Sequence, residues 1–356
     1  MSTCLILGAT GFIGGQITRA ALRRGWRVRG LRRTPGAVGD LHEYVIARPA
    51  VWAEAIPPSK GDCFVAEDAP RNDAVQDPSP LEWFPGDLND GETLAAAMQG
   101  CEVVFHCAGA YPHNSRTMAQ DVARAVGQMR NVLDAARRAD IRRLIYTSSY
   151  TTIGQPSEPG RLADERDFYV PGSSSDPYYE AKWAMEVAAL DAARAGLPVI
   201  VLCPVAVFGP GDVHMSVSGP LLMAARGRLP IYPDAPVSVI DVRDAAAAHL
   251  AAVERGRPGE RFLLSAHNVR LYDVLAEIAR VAGARPPRIK IGPRPLRVAA
   301  TIGQLAPGGQ ASFLKTIPLW QPVNNAKAVA ELGLTTRPLA ETLADTVAWF
   351  RTRGYL

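Results

Sequence analysis

The stretch CLILGATGFIG, residues 4–14, decides the fold of this 356-residue chain. Its first four residues form a continuous apolar run, which is typical of a short strand that is covered on both faces. Ile13, Ile17 and Ala21 then recur at helical spacing on one face. A strand that leads through a glycine turn into a helix is the first unit of an alternating β/α fold.

The same alternation continues along the chain as far as residue 202. An amphipathic helix with a buried stripe from Met118 to Leu133 is one of the connecting helices. Five more short apolar runs are predicted to be strands, at residues 26–31, 81–84, 102–105, 144–146 and 199–202. We therefore expect an α/β protein with a Rossmann-type, doubly wound parallel sheet and right-handed crossovers.

Two parts of the sequence depart from this alternation of strands and helices. The 47 residues between Arg33 and Leu81 exceed what a βαβ connection needs. Residues 35–80 are therefore predicted to be an insertion, either a peripheral excursion or a lid or dimer contact. Beyond residue 213 Pro and Gly become more frequent, a strand is predicted at residues 236–240, and helices are predicted at residues 271–281 and after Pro338, which indicates a smaller, α-rich C-terminal unit. The predicted larger domain comprises residues 1–212 and 236–253, and the smaller one residues 213–235 and 254–356.

The composition excludes several classes of protein. Lys+Arg number 39 and Asp+Glu 35, a net charge of +4, which is too even a balance for a dedicated nucleic-acid binder. The five Cys are scattered, without CxxC spacing, so neither a metal site nor a disulfide framework is predicted. No uncharged apolar stretch reaches the ~18 residues of a membrane span, and the first residues do not resemble a secretory leader. We expect a cytoplasmic protein.

The glycines of the first turn predict dinucleotide binding. Gly8 permits a tight turn, Gly11 lets the backbone approach a pyrophosphate, and Gly14 lets the helix pack closely on the strand. The helix N-terminus supplies free N–H groups and a positive dipole end for phosphates. This context favours a cofactor site over an empty structural turn. The candidate cofactor-binding residues of the turn are Gly8, Thr10, Gly11, Phe12, Ile13 and Gly14.

The end of the second strand indicates which dinucleotide is bound. An acid at this point hydrogen-bonds the ribose of NAD, whereas Arg accommodates the 2′-phosphate of NADP. Arg32 and Arg33 occupy it, and no acid occurs from Trp26 to Val38. Arg is common in this chain, since only five of its 39 basic residues are Lys, so their presence could also be incidental. The sequence favours NADP(H) over NAD(H).

A tyrosine and a lysine lie one helical turn apart, at Tyr178 and Lys182. A phenol titrates near pH ~10, and a neighbouring ammonium favours its phenolate form, which brings the group into the range of acid–base catalysis. Tyr146 to Ser149 place hydroxyls at the carboxyl end of the fifth strand, the edge where open α/β sheets bind ligands. Ser149 can there donate a hydrogen bond to a substrate oxygen, whereas Thr147 better suits a turn or cap role.

These motifs together resemble the extended short-chain dehydrogenase/reductase family, within the NAD-dependent epimerase/dehydratase superfamily. The resemblance is greatest to its dihydroflavonol-reductase-like and 3β-hydroxysteroid-dehydrogenase-like branch and to hopanoid-associated sugar epimerase-like proteins. It covers nearly the whole chain outside residues 35–80. The matching stretches are residues 8–14, 86–88, 104–109, 147–149, 178–182, 204–210 and 327–333.

The resemblance implies roles for individual residues. Ser149, Tyr178 and Lys182 would form the catalytic set, with Tyr178 and Lys182 also contacting the cofactor. The other implied cofactor contacts are Asp87 and Leu88 at the adenine, Cys107, Ala108, Gly109 and Thr147 along the cofactor, and Pro204, Val205 and Val207 near the nicotinamide. The implied substrate contacts are Tyr111, His113, Ser149, Tyr150 and Met215. His106 is expected to be a buried strand-end residue.

Three positions depart from the family pattern: the first lacks the residue of the family's proton relay, and the other two favour a simple carbonyl/alcohol oxidoreductase over sugar-nucleotide chemistry. Ala125 stands where the family often has an Asn that relays protons. Val237 stands where sugar-nucleotide enzymes carry an Arg for the substrate diphosphate. Ser149 is followed by Tyr150 rather than by the Thr-Asp-Glu of dehydratases.

The sequence therefore predicts an NADP(H)-dependent oxidoreductase that interconverts a ketone and a secondary alcohol on a small apolar substrate. A nucleotide-sugar epimerase with the same catalytic residues is the first alternative. An NADP-sensing regulator is the second, although such proteins typically lack the Tyr-Lys pair. A homodimer is left open.

Overall fold

The computed structural model describes residues 2–33, 80–109, 117–292 and 316–356. The predicted insertion, residues 35–80, lies outside the described residues except for Pro80. In chain order the elements are β1 Thr3–Leu7, α1 Phe12–Arg23, β2 Arg27–Arg32, β3 Leu81–Pro85, α2 Gly91–Met98, β4 Val103–His106, α3 Met118–Arg138, β5 Arg143–Thr147, α4 Pro177–Arg194, β6 Val199–Pro204, β7 Ala206–Phe208, α5 Gly219–Ala225, β8 Ile231–Pro233, β9 Pro236–Asp241, α6 Val242–Arg255, β10 Arg261–Leu264, β11 His267–Arg270, α7 Leu271–Ala282, β12 Ile289–Ile291 and α8 Leu339–Thr352.

Seven parallel strands form the main sheet, in the order β10-β6-β5-β4-β1-β2-β3. The six strands predicted from the sequence are all present, which confirms the Rossmann-type fold. The seventh, β10, pairs with β6 in the register Arg261↔Val201 and was not predicted. Residues 261–264 therefore belong to the main sheet, and their assignment to the smaller domain was wrong.

A second, smaller set of strands lies outside the main sheet. β9 pairs in parallel with β7 and antiparallel with β11, so residues 236–241 do not extend the main sheet, contrary to the predicted boundary. α6, which follows directly, packs its buried apolar side against the main core. The smaller hydrophobic cluster is built by α5, α7 and α8 around Phe208, Val239 and Trp349.

The order in which the chain adds strands to the parallel sheet reverses between β1 and β4. β1 is followed outward by β2 on one side and β4 by β5 on the other, so the crossovers leave a crevice at the carboxyl ends of β1 and β4. Leu7 pairs with His106, and His106 with Tyr146, so these strands end at the same level. Ligands of open α/β sheets bind at this kind of switch point.

Candidate active site

The glycine turn follows β1 directly at the crevice. Gly8 has φ +92°, and a Cβ there would lie 2.9 Å from the backbone nitrogen of Ala108. A Cβ on Gly14 would lie 2.1 Å from the carbonyl oxygen of Gly8. The N-cap of α1 is Gly11, with no side-chain cap and no acid in the first turn. The first N–H groups of α1 are thus left for an anion, and the cradle fits a dinucleotide pyrophosphate.

Arg32 ends β2 beside this turn. Its Nε is buried and has no hydrogen-bond partner among the residues that the structure describes. Arg33, next in the chain, is exposed. A buried guanidinium nitrogen without a partner is costly, and an anionic ligand would satisfy it. The Arg32 guanidinium is thus compatible with an anionic ligand, and the roles of Arg32 and Arg33 at a 2′-phosphate stay predictions.

Asp87 and Leu88 lie in the loop after β3. The Asp87 carboxylate accepts hydrogen bonds from the backbone and side-chain nitrogens of Asn89, at 2.8 and 2.6 Å. The Leu88 carbonyl accepts one from Asn131 Nδ2 on α3, at 2.9 Å. These bonds hold the loop at the same carboxyl edge as the glycine turn.

Cys107, Ala108 and Gly109 continue from β4 beside the glycine turn. The Cys107 N–H donates to the Leu7 carbonyl at 2.9 Å, which brings the two strand ends together. Burial raises the pKa of Cys107 to about 11, so its thiol stays protonated at neutral pH. Tyr111 and His113 lie outside the described residues, and their roles stay predictions.

Tyr178 and Lys182 lie in the first turns of α4. Asp176 caps this helix by accepting from the Tyr178 N–H at 2.9 Å, and Pro177 occupies the first helical position. The two side chains are brought together as predicted, since Lys182 Nζ lies 5.9 Å from the centroid of the Tyr178 ring. Tyr178 is half-buried and so remains open to a ligand.

Lys182 is buried at the end of β5. Its Nζ donates to the Thr147 carbonyl at 3.1 Å and lies 5.6 Å from the centre of the Tyr146 ring. Burial lowers the pKa of Lys182 from its ordinary 10.5 to about 8. The ammonium form is therefore still the main one at neutral pH, and it supplies a positive charge in a site with little water.

The hydroxyls after β5 have separate surroundings. Ser149 is buried, and its Oγ accepts from the Thr151 N–H at 3.2 Å, which leaves the hydroxyl hydrogen for donation. The Thr147 hydroxyl lies 2.9 Å from His249 Nε2 and 3.2 Å from Cys107 Sγ, so it has neither the turn nor the cap role favoured from the sequence. Tyr150 is half-buried beside Ser149.

His106 is fully buried, as predicted for a strand-end residue. Its ring lies 5.5 Å from that of Tyr146, and neither ring nitrogen has a hydrogen-bond partner in the described part of the chain. Burial, with the charge of Lys182 nearby, lowers the pKa of His106 to about 3. The imidazole is therefore neutral under ordinary conditions and cannot serve as an acid.

The end of β6 and the start of β7 carry the residues expected near the nicotinamide, and that role stays a prediction. Pro204, Val205 and Val207 are buried. Met215 is half-buried and has φ +50°, in a loop that folds around Asp212. The Asp212 carboxylate accepts from the backbone N–H groups of residues 216, 217 and 218, at 3.0, 2.9 and 3.0 Å.

Sequence reasoning missed Asp212 and Gln16. Gln16 Nε2, on α1, donates to the Pro210 carbonyl at 3.0 Å and so ties the glycine-turn helix to the Asp212 loop. The signal for Asp212 was present, since an Asp before a Ser-x-Ser stretch suits a side-chain-capped turn. Nothing local could have paired Gln16 with a residue 194 positions away.

The comparisons with known proteins agree with this geometry. The model of the NAD dependent epimerase/dehydratase family matches residues 4–265. The chain belongs to this family. It is an NAD(P)-dependent enzyme of the extended short-chain dehydrogenase/reductase type, and the family acts on small molecules. Among the described residues, no helix has the length and apolar character needed to cross a bilayer.

Reductases and epimerases both occur among its relatives. A protein named as a dihydroflavonol 4-reductase from Synechocystis sp. is 30% identical, and the match covers 100% of this chain and 97% of that protein. Sterol demethylase protein B of Methylococcus capsulatus is 26% identical over 99% of this chain and 100% of that one. The solved structure of PA4631, described as a nucleoside-diphosphate-sugar epimerase from Pseudomonas aeruginosa, superimposes with a TM-score of 0.77 at 26% identity, over 100% and 99% of the two chains.

Proposed function

We propose that this family member is an NADP(H)-dependent oxidoreductase that interconverts a ketone and a secondary alcohol on an apolar substrate. The observation that carries the proposal is the placement of the Lys182 ammonium between the Thr147 carbonyl and the Tyr178 ring. A buried positive charge at this distance favours the phenolate of Tyr178, which lets the phenol give and regain a proton near neutral pH.

Three residues of this chain have separate roles at the substrate oxygen: proton transfer, hydrogen bonding and stabilisation of the phenolate. A bound nicotinamide would supply or accept the hydride at the substrate carbon. Tyr178 gives the proton to the oxygen in reduction and takes it in oxidation. Ser149, whose Oγ is oriented by the Thr151 N–H, donates a hydrogen bond to that oxygen as negative charge develops. Lys182 stabilises the phenolate between the two proton transfers.

The catalytic proposal is tested with Tyr178→Phe. The variant keeps the ring and loses the proton, so turnover of a ketone with NADPH should fall by ~10²-fold or more. The Kd of NADPH should change by less than about twofold, since the glycine turn is untouched. A Phe variant that turns over at the wild-type rate would exclude Tyr178 as the acid.

NADP(H) is proposed over NAD(H) because of Arg32 and Arg33. A 2′-phosphate would satisfy the unpartnered Arg32 Nε by a charge-assisted bond. Arg32→Asp should weaken NADPH binding by at least ~10-fold and favour NADH in comparison, since one carboxylate in place of the guanidinium repels the phosphate. Arg27→Asp, at the exposed opposite end of β2, is the matched control. Equal affinity of the wild type for NADH and NADPH would contradict the assignment.

An apolar, uncharged substrate is proposed because cations for a diphosphate are lacking on the described walls. Arg226 directly follows α5, and its guanidinium donates twice to the Tyr355 carbonyl, at 2.9 and 2.6 Å. Val237 is buried within the smaller hydrophobic cluster. Met215 and Val217 are partly exposed next to Leu221. Apolar walls of this kind contribute ~25 cal/mol per Å² of buried apolar substrate surface.

The second candidate function is a nucleotide-sugar epimerase, favoured by the 26% identity to PA4631. An epimerase returns the hydride to its substrate, so NADPH absorbance would show no net turnover. Calorimetric titration of the NADP-loaded protein with UDP-sugars and with bulky apolar ketones separates the two functions. Micromolar binding of a UDP-sugar, with none of the ketones, would replace our proposal by the epimerase.

A homodimer is proposed through the groove between α3 and α4. Both apolar and oppositely charged side chains line it, and a surface of this mixed kind can be self-complementary about a two-fold axis. They include Val126, Arg130, Leu133, Asp134, Arg137, Val187 and Asp191. Val187→Glu should convert a dimer into a monomer in sedimentation velocity, and a wild-type monomer would refute the proposal. The cytoplasmic location stays a prediction from the sequence.

A further inference from the structure

A buried ion pair lies behind the catalytic residues and takes no part in the chemistry described above. Arg261 Nε, on β10, lies 2.6 Å from Glu186 Oε1, on α4. Glu186 is 0% exposed and Arg261 4%. A buried ion pair carries a large desolvation penalty, and apolar residues of similar volume are often as stable in its place. Stability alone therefore does not account for this pair.

The second carboxylate oxygen of Glu186 contacts the turn that carries Ser149, through the hydroxyls of Ser148 and Thr152. Glu186 Oε2 accepts a short hydrogen bond from the Ser148 hydroxyl and lies 2.7 Å from Thr152 Oγ1. Thr152 Oγ1 is also 2.7 Å from the Ser149 carbonyl oxygen. Ser149 thus lies in a turn that is fixed before it and after it by one carboxylate.

Arg261 fixes the same turn from the side of the sheet. Its Nη2 donates to the Thr152 carbonyl at 2.9 Å, and its Nη1 to the Glu165 carbonyl at 2.9 Å. The Glu165 carboxylate accepts in turn from the Leu263 N–H on β10, at 2.7 Å. The guanidinium is therefore held on both sides and cannot swing away from the turn without breaking several bonds.

The position of Glu186 on α4 joins this turn to the other catalytic residues. Glu186 lies one helical turn beyond Lys182 and two turns beyond Tyr178, so the three side chains share one face of α4. Any shift of Glu186 against the Ser149 turn changes the distance between the Ser149 hydroxyl and the Tyr178 phenol, which act on the same substrate oxygen.

We infer that Glu186 and Arg261 are positioning residues that hold Ser149 in register with Tyr178 and Lys182. The inference rests on the proposed function, since it assumes that Ser149 binds the reacting oxygen. Neither residue touches the substrate. A misplacement of about 1 Å can cost ~10²-fold in rate, so loosening this turn should lower kcat without affecting the cofactor.

The test replaces the pair by apolar residues of similar length, Glu186→Met with Arg261→Met. Removing both charges avoids leaving one of them buried and unpaired. We expect kcat for ketone reduction to fall by ~10-fold or more, with the Kd of NADPH within about twofold of wild type. A matched control is Asp244→Asn with Arg337→Gln, which removes an ion pair between α6 and the residue before the N-cap of α8 and should leave kcat unchanged.

The decisive measurement is whether the loss of kcat caused by the Met-Met replacement depends on the presence of the Ser149 hydroxyl. In a Ser149→Ala background the Met-Met replacement should lower kcat by less than about twofold, because the hydroxyl that the pair positions is already absent. A loss of equal size in both backgrounds would overturn the inference and assign the pair to general stability. Full wild-type kcat in the Met-Met variant would overturn it as well.

Single variants cover the cases in which the Met-Met variant does not fold or the proposed function itself is wrong. If the Met-Met variant does not fold, Ser148→Ala removes one bond to Glu186 and leaves the ion pair intact, and its effect on kcat should likewise vanish in Ser149→Ala. Failure of the proposed function is seen separately, because Tyr178→Phe and Ser149→Ala would then retain wild-type turnover whatever the pair does.

Discussion

Replacing Gly14 by Ala gives the sharpest test of how the glycine turn is built. A Cβ on Gly14 would lie 2.1 Å from the Gly8 carbonyl oxygen and 2.8 Å from its carbon. Since an unstrained carbon–oxygen contact needs ~3.3 Å, α1 must move by roughly 1 Å away from β1. The obstructing atoms are backbone, so no side-chain rotation can relieve the contact.

Gly15→Ala is the matched control, one residue further along the same helix. A Cβ on Gly15 would lie 3.5 Å from the Ala9 carbonyl oxygen, an ordinary contact. Both replacements gain the same ~1 kcal/mol of helix propensity, so this gain cancels in their difference. The remaining overpacking at Gly14 should make that variant about 1–3 kcal/mol less stable than Gly15→Ala.

Urea unfolding of the two variants measures this difference, and calorimetric titration with NADPH measures its effect on binding. Moving the N-terminus of α1 by ~1 Å shifts its free N–H groups, so Gly14→Ala should weaken NADPH by on the order of 10-fold, whereas Gly15→Ala should bind as the wild type does. Equal stability and equal affinity in the two variants would refute the close packing of α1 on β1.

Three further outcomes are expected from single replacements. The pKa of Lys182 is lowered from 10.5 to about 8, so the unfolded chain binds one more proton than the folded chain between these pH values. The unfolding free energy of the cofactor-free wild type should therefore rise by about 3 kcal/mol relative to that of Lys182→Met between pH 7.5 and 10.5. A difference between the two proteins that stays constant with pH in urea unfolding would contradict this. Asp212→Asn removes an acceptor from the loop of residues 216–218 and should raise the KM for the ketone several-fold with an unchanged NADPH Kd; an unchanged KM would exclude that loop from the substrate site. Arg226→Ala should leave ketone turnover unchanged, since its guanidinium binds the Tyr355 carbonyl, and lost activity would place it at the substrate.

Features that depend on neighbouring residues could be predicted from the sequence. The positions of Gly8 and Gly14 follow from one strand–turn–helix unit, and the proximity of Tyr178 to Lys182 from a single helical turn. In both cases a short stretch of chain fixes the geometry whatever the rest of the protein does. The parallel sheet follows for a similar reason, because βα units can close in few ways.

Features that depend on distant residues could not be predicted. β10 joins the main sheet by pairing with β6, about 60 residues earlier, and its four residues carry no signal that separates this edge from the smaller sheet. Arg261 meets Glu186 across 75 positions for the same reason. The hydrogen bond of Arg226 to the Tyr355 carbonyl depends on where the last residues of the chain pack. Only the folded arrangement decides contacts of this kind.

The choice between reductase and epimerase also depends on distant contacts rather than on the catalytic set. Both reactions need a proton acceptor such as Tyr178, a cation such as Lys182 and a hydride carrier, so these residues cannot separate them. The difference lies in whether the site holds the anionic nucleotide portion of the substrate and lets the oxidised sugar turn before the hydride returns. The loop after β7 is fixed by three backbone hydrogen bonds to Asp212 and is attached to α1 through Gln16. With Arg226 bound to the Tyr355 carbonyl, the partly exposed Met215 and Val217 remain the observation that supports our proposal of an apolar ketone over an anionic sugar nucleotide.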